Sequence, residues 1–369
     1  MVFLYSLFLT LFLSSAAPAD PPVVHPKLGA APLRGDSITL TLVTRKQCYQ
    51  NGEAATRDAD VLSPKSVTIH PDGSKYYVNS LEGMRTVVYD FETGRKLKVI
   101  PHVFDEESLD LWAPESGYFP FSYTYAHPET FSGKPVESTF SHGGRYLWVP
   151  YYRRSYDINA QDPSAMAVID TECDSIVRVF ETGPLPKMVA TSPDGTKVAV
   201  THWGDNTVGI IDITGDDITR WHYVGCYTVD AKLPLNYSRT VPVNRDMDSG
   251  YCLRGTLFTD EGRYLLVGCM GSGGGIAVID LQDGTYLGRI LGMKTNLRHL
   301  IASNGYLYAS INNSGYVQRI PMARFREAIE RLASEKQPTL RLDGWESCKV
   351  PASARTIVAS PRCVLPYLP

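Results

Sequence analysis

The sequence lacks a strong net charge, closely paired cysteines and an apolar run long enough to cross a membrane comfortably. Its 369 residues include 36 Lys or Arg and 39 Asp or Glu, for a net charge of −3. A bulk electrostatic attraction to nucleic acid is therefore not expected. The seven Cys form no C-x-x-C pair, which argues against a zinc knuckle, a thioredoxin-type centre or a covalently attached c-type haem.

The N-terminus has the pattern of a secretion signal without its usual basic start. Residues 2–13 are almost entirely apolar, and Ala17-Pro18-Ala19 forms a small-x-small cleavage pattern before Asp20. This predicts a signal peptide over residues 1–19 and an extracytoplasmic location (periplasm, cell surface or secreted), with no transmembrane segment. In an oxidising compartment Cys226 and Cys252 could close the loop between them, or they could remain buried thiols.

Glycine, proline and tyrosine are abundant, with 30, 25 and 22 residues respectively, a composition that favours strands and turns over helices. Residues 66–90 read "SVTIHPDGSKYYVNSLEGMRTVVYD" and residues 188–212 read "MVATSPDGTKVAVTHWGDNTVGIID". Similar segments begin at Ser138, Gly255 and His299. Each contains three strands with alternating apolar residues and tight Gly turns, and a fourth strand usually follows. Repeated four-stranded antiparallel units predict an all-β fold, a β-propeller.

The stretches "HPDGSKYYVNS…TVVYD" and "SPDGTKVAVTH…NTVGIID" resemble the YVTN-type β-propeller repeat family. The resemblance covers residues 64–360. It implies an extracytoplasmic propeller, normally of seven blades, in a family that includes binding proteins and relatives of lactonases. Because propellers support many unrelated activities, the resemblance is specific for fold and weak for function.

The repeats divide the chain into a signal peptide (1–19), an N-terminal segment (20–63) and a propeller domain (64–369). Five repeats are nearly complete, and a sixth starts at residues 354–361 and is expected to be cut short. Two prolines in the last eight residues argue against an interior strand there. We expect residues 37–43 to pair with a terminal blade, and a six-bladed ring with a degenerate end is the alternative.

One helical insertion is predicted at residues 322–334, between a third strand and residues 339–342.

Strand order predicts which loops share a face. Loops between second and third strands, and connections between blades, lie on one face, here called the top face. Two long insertions, residues 102–134 and 226–252, belong there, as do residues 150–159 and 202–206. Long loops on a rigid scaffold commonly carry function.

A basic residue stands near the start of most first strands, and the second repeat has Glu137 instead. These positions should surround the top mouth of the central channel: Lys65, Lys187, Arg254, Arg298 and Arg355. A ring of cations there would bind a carboxylate, phosphate or sulfate group. The alternative is that the same residues form ion pairs with neighbouring blades.

Aromatic and basic residues alternate in the nearby loops. They are Tyr151, Tyr152, Arg153 and Arg154, with His202 and Trp203 in the next blade. Such residues could stack on sugar rings or nucleobases. They could equally pack a long loop onto its neighbour.

Several motifs do not support catalysis. "SHGG" at residues 141–144 lacks a nucleophile elbow, and "GSGGG" at residues 271–275 lacks the Lys and helix of a phosphate loop. His202 and Asp205 alone are too few to bind a metal. No cofactor motif is present.

We therefore predict a monomeric binding or interaction module, and not an enzyme, for a small anionic molecule, a glycan or a protein. The alternatives are a lactonase-like hydrolase or a lyase, for which basic strand starts are unfavourable, and an open ring without activity.

Overall fold

The computed structural model describes residues 33–34, 39–40, 42, 44–49, 53–238, 240–241, 243–271, 273–350, 356–359 and 364–367. At both ends of this range, in residues 33–40 and 356–367, only the backbone of the strands is described. The predicted signal peptide, Arg355 and Cys363 lie outside the described residues.

Five antiparallel sheets, each with a four-stranded core, follow one another along the chain and form the blades of a β-propeller. The strands of blades 1 and 2, from the innermost outward, are Pro64–Ile69, Lys75–Ser80, Arg85–Asp90, Lys96–Pro101; then Thr139–Ser141, Tyr146–Arg154, Ser164–Asp170, Ser175–Thr182. Those of blade 3 are Pro186–Thr191, Lys197–His202, Thr207–Asp212, His222–Thr228. Those of blades 4 and 5 are Leu253–Phe258, Tyr264–Cys269, Ile276–Asp280, Thr285–Leu291; then Leu297–Ser303, Tyr306–Ile311, Tyr316–Pro321, Glu346–Lys349. The predicted four-stranded antiparallel blades are confirmed, and the described residues form five of them.

Three further strands extend these sheets. Val103–Phe104 pairs with Phe131–Pro135, which joins the top half of the second strand in blade 2. Thr339–Arg341 pairs in parallel with the outermost strand of blade 4. The sequence pattern predicts that this strand belongs to blade 5, with the third strand that precedes it. The chain instead returns to blade 4, and residues 346–349 complete blade 5.

In the part of the chain that the structure describes, helices are few and, apart from one, short. Helix α1 is Arg245–Asp248 and helix α2 is Met322–Glu335, and short 3-10 turns occur at Ala54–Thr56, Glu106–Leu111, His142–Gly144 and Ile218–Arg220. The predicted helical insertion is confirmed, although Pro321 is the N-cap and not the first helical residue. The buried side of α2, including Phe325, Ile329 and Leu332, packs into the cluster shared by blades 4 and 5.

The hydrophobic core lies between the blades because alternate residues of each strand face opposite neighbours. In blade 3, Val198 and Val200 pack toward blade 2, whereas Ala199 between them packs toward blade 4. One such cluster lies between each pair of consecutive blades from the first to the fifth. The blades therefore form one continuous packed series.

The face of blade 1 that points away from blade 2 is only partly covered. Val67, Ile69 and Phe91 are exposed there by 46%, 52% and 50%. They border a groove of about 350 Å³ that Thr44 and Lys46 line from the preceding segment.

A two-stranded sheet, Thr356–Ala359 with Val364–Tyr367, lies beside the inner strands of blade 5. The second strand contains Pro366, which sits in an edge strand, where a residue without an N–H is tolerated. Within the described part of residues 37–43, Thr39–Leu40 pairs with Leu33–Arg34 and not with a blade, contrary to expectation. No helix in the described ranges is long and apolar enough to cross a membrane.

Candidate functional site

Four of the predicted basic residues occupy equivalent positions in four blades. Each follows the first residue of its innermost strand: Lys65 after Pro64, Lys187 after Pro186, Arg254 after Leu253 and Arg298 after Leu297. In each blade the ladder with the second strand shifts register at this point. The basic residues therefore sit in β-bulges, which redirect side chains and are common beside functional sites.

A left-handed backbone residue precedes each bulge by two positions. Ser63, Leu185, Cys252 and Asn296 have φ values of 52°, 51°, 54° and 68°. Positive φ is uncommon for residues other than Gly, and of these four only Asn tolerates it readily. This conformation is energetically unfavourable, and it recurs at the same position in four blades. It is therefore a regular part of the blade and not an isolated irregularity.

A backbone hydrogen bond holds each left-handed residue in place. Its carbonyl accepts from the first residue of the loop between the second and third strands. The donors and distances are Leu81 to Ser63 3.2 Å, Trp203 to Leu185 3.0 Å, Met270 to Cys252 3.3 Å and Asn312 to Asn296 3.1 Å. The top loops thus fix the backbone that presents the basic residues.

The four basic side chains converge, and we call this group the cation mouth (Lys65, Lys187, Arg254 and Arg298). Burial lowers the pKa of the Lys187 ammonium well below its usual value, and the charges of Arg254, Lys65 and Arg298 lower it further. Asp246 opposes this shift, but its effect is smaller than that of Arg254. The positive charges therefore dominate the electrostatics at Lys187.

Two carboxylates enter the same region. Arg254 Nη2 lies 3.0 Å from Glu137 Oε1, and both side chains are buried. Glu137 lies in the short gap between Phe131–Pro135 and Thr139–Ser141, the innermost strand of blade 2, so this blade supplies an acid where the others supply a base. Asp246, in α1, has its Oδ1 3.9 Å from Lys187 Nζ. Both the ion-pair alternative and the cation cluster thus have a structural basis.

Two aromatic rings enclose the Lys187 amine. The Nζ atom lies 4.0 Å from the centroid of the Tyr152 ring and 5.0 Å from that of Trp203. The Tyr152 hydroxyl donates to Asp246 Oδ2 at 3.0 Å, and Trp203 Nε1 donates to the Asp246 carbonyl at 3.3 Å. Tyr152, Lys187 and Trp203, each predicted separately, therefore form one cluster with Asp246.

The structure does not bring Tyr151 or Arg154 to the surface. Tyr151 is fully buried, and its hydroxyl lies 2.8 Å from His102 Nδ1. Arg154 is buried under the first insertion, where it donates to the carbonyls of Pro128 and Ser164 and lies over Tyr123. Packing of the long loop onto its neighbour explains both residues.

Arg153 and His202 also have internal partners. Arg153 Nη1 donates to the Asp157 carbonyl at 2.8 Å within its own loop. His202 is fully buried, with Nδ1 2.8 Å from Thr207 Oγ1 and its ring edge-on to Phe119. Burial lowers the pKa of His202 to about 3, so its ring is neutral at physiological pH.

The second insertion is anchored by the buried Arg245. Its guanidinium donates to the carbonyls of Gly204 at 3.1 Å, Pro234 at 3.1 Å and Leu235 at 3.0 Å, and to that of Gln161. These bonds tie α1 to the top loops of blades 2 and 3, which contain Gln161 and Gly204. They fix the position of the adjacent Asp246.

Cys226 and Cys252 form no disulfide with each other, and both thiols are free. Burial raises the pKa of the Cys226 thiol to about 11 inside blade 3. The Cys252 thiol instead faces the Asp246 carbonyl at 3.8 Å. Hydrogen bonds, above all those of Arg245, hold the intervening loop.

Sequence reasoning identified the cations but missed Asp246, Arg245 and the bulges. Asp246 and Arg245 lie in an insertion that has no counterpart in the other repeats. The four left-handed residues share no residue type, so no sequence signal marks them. In the parts of the chain described here, no three His, Cys, Asp or Glu residues are grouped to hold a metal ion.

No family model and no curated protein sequence matches the chain, so the resemblance to the YVTN-type family remains a prediction. Among solved structures, hydrazine synthase of Kuenenia stuttgartiensis is 16% identical with a TM-score of 0.47, over 85% of this chain and 93% of that chain.

The β-propeller domain of Myceliophteria thermophila Cps50 (Swd1) is 14% identical with a TM-score of 0.45, over 70% of this chain and 65% of that one. The RRP9 WD40 repeats are 12% identical with a TM-score of 0.46, over 71% and 61%. At these TM-scores the similarity carries no functional information, and the fold assignment rests on the blades themselves.

Proposed function

We propose that this protein is a propeller-based binding module whose cation mouth takes the anionic group of a ligand. The observation that carries this proposal is the cluster of four basic residues, each presented by an equivalent bulge. Their mutual repulsion exceeds the attraction of Asp246 at Lys187. A carboxylate, phosphate or sulfate group would relieve that repulsion and accept charge-assisted hydrogen bonds.

The cation mouth lowers the stability of the fold, and this loss of stability supports a binding role. Burying charged groups close to like charges destabilises a fold, since each group loses hydration and repels the others. Left-handed residues two positions earlier add further strain. The same arrangement recurs in four blades, which is unfavourable for stability alone and useful for binding an anion.

The four side chains of the mouth differ in accessibility. Lys187 and Arg254 are buried, at 8% and 4% exposure, whereas Lys65 and Arg298 are partly accessible. Because a ligand can reach a partly accessible side chain more easily, we assign the main ligand contact to Arg298, with Lys65 as a second contact. The anion belongs to a small molecule, a glycan or a segment of a protein.

The test is binding of sulfate and inorganic phosphate to the full chain at low ionic strength, by calorimetry and by the shift in unfolding temperature. We expect Arg298→Gln to weaken binding about tenfold, the effect of losing one charge-assisted contact. The control is Arg341→Gln, because Arg341 is exposed and pairs only with Asp343 among the ion pairs described here. Equal affinity in both variants, or no binding by the wild type, would refute the proposal.

A further inference from the structure

Lys187 differs from the other residues of the cation mouth in its surroundings. Its side chain is 10% exposed and lies between the Tyr152 and Trp203 rings, with the Asp246 carboxylate at 3.9 Å. A single amine is thus held in one place beside a proton acceptor. This geometry suits chemistry at the amine nitrogen as well as electrostatic binding.

We propose that Lys187 captures the carbonyl group of a 2-oxo acid or similar acid aldehyde as a reversible imine. This inference rests on the proposed anion site and names the class of ligand that the site takes. The carboxylate of the ligand binds at Arg298 and Lys65, which occupy the same bulge position as Lys187 in other blades. The adjacent carbonyl carbon then faces the amine.

The charge around Lys187 favours the neutral, nucleophilic amine. Lysines become nucleophiles when they are desolvated or lie next to other cations. Burial and the charges of Arg254, Lys65 and Arg298 lower the pKa of Lys187. The aromatic rings and Asp246 favour the ammonium form, but at Lys187 the effect of Asp246 is smaller than that of Arg254.

Asp246 supplies the proton transfer that imine formation requires. The nitrogen lone pair adds to the carbonyl carbon, and the C=O electrons move to oxygen to give a carbinolamine. Asp246 takes one proton from nitrogen and passes it to this oxygen, which completes the neutral carbinolamine. It then takes the second proton from nitrogen and passes it to the hydroxyl, which leaves as water while the C=N bond forms. No oxidant or reductant is needed, and addition of water reverses the step.

Asp246 is well placed for this role. It is about half exposed, so it can exchange protons with solvent. The Tyr152 hydroxyl fixes its Oδ2 at 3.0 Å and leaves Oδ1 toward the amine. The anchor at Arg245 immediately precedes it in the chain.

The experiment uses the full chain, glyoxylate as the probe and cyanoborohydride to reduce any imine, followed by peptide mapping by mass spectrometry. We expect Lys187 to be labelled at least ten times faster than the exposed Lys98 and Lys336, with excess sulfate protecting it. We expect Lys187→Arg to lose this label, Asp246→Asn to slow it, and Lys98→Arg to retain it. The wild-type map localises the label even if a variant does not fold.

Labelling of Lys187 no faster than that of Lys98 and Lys336 would overturn the inference. If sulfate still binds at the mouth in that case, the anion site stands and only the imine is wrong. If sulfate and glyoxylate both fail to bind, the proposed function falls as well.

Discussion

The top and bottom ends of the propeller use charged residues in opposite ways. At the bottom, Arg145 and Arg263 each contact the Asp that ends a third strand, at 2.7 Å. The two Arg side chains are about 40% exposed, and their Asp partners are 12% and 3% exposed. At the top, Lys187 and Arg254 are 10% and 5% exposed and lie close to other cations.

The comparison teaches that position in the blade, and not residue type, decides the role of a basic residue. The bottom pairs join opposite charges through partly exposed arginines that solvent screens, so each contributes on the order of 1 kcal/mol and needs no ligand. Buried clusters of like charge cost stability unless a partner neutralises them. A bound anion would therefore stabilise the protein more at the top end than at the bottom end.

The largest effect should come from removing the anchor of the top end. Arg245→Ala leaves four backbone carbonyls without their donor, and we expect the free energy of unfolding to fall by about 3 kcal/mol or more. Urea unfolding measures the loss. Hydrogen exchange should rise in residues 226–252 and stay unchanged in the bottom turns, and an exchange increase spread over both ends would contradict the comparison.

Acid should weaken the top end at a higher pH than the bottom. Burial lowers the pKa values of His102 and His202 to about 3 from 6.5 in the unfolded chain. Because the unfolded chain takes up these protons first, stability falls as the pH drops below 6.5. At the bottom, hydrogen bonds from Ser74 and His70 lower the pKa of Asp72 to about 2, so its contribution is lost only below pH 3.8.

Asp205 partly offsets this loss. Burial raises its pKa from 3.8 to about 6, so the folded protein takes up this proton first and gains stability as the pH falls through that window. Between pH 7 and 5 we expect a net loss of about 3 kcal/mol, since each pKa unit corresponds to about 1.4 kcal/mol. Asp205→Asn should steepen the loss, and urea unfolding at pH 7, 6 and 5 would show this. Constant stability over this range would be inconsistent with buried neutral His102 and His202.

A matched pair of substitutions tests the two ends directly and has the smallest effect. Glu137→Gln leaves Arg254 buried with a neutral acceptor, and we expect a loss of about 2 kcal/mol. Asp170→Asn, at the bottom pair with the partly exposed Arg145, should cost less, about 1 kcal/mol, because solvent screens Arg145 and its second partner Glu172 remains. Glu137→Gln should also tighten sulfate binding, because it removes a negative charge from the mouth.

Thermal or urea unfolding and calorimetry give both readouts for each variant. Equal costs at the two ends, or weaker sulfate binding by Glu137→Gln, would remove the distinction between them.

The parts of the structure that follow from local pattern could be predicted from the sequence. Alternating apolar residues and the turns at Gly73 and Gly195 define the hairpins, and repetition of the hairpins defines the blades. The position of Lys187 one residue into a first strand predicts that it lies near the equivalent residues of other blades, and Arg254, Lys65 and Arg298 do act electrostatically on it.

The remainder depends on tertiary contacts that no local pattern carries. His202 ends a strand and looked accessible, but Phe119 of a distant insertion covers it. Asp246 reaches Lys187 only because Arg245 holds the insertion over blade 3.

The most direct test of the account is where an anion binds. A crystal of the full chain soaked in selenate should show an anomalous peak at the mouth, between Arg298, Lys65 and Lys187. A mouth without such a peak, with selenate bound only at exposed residues elsewhere, would contradict the account.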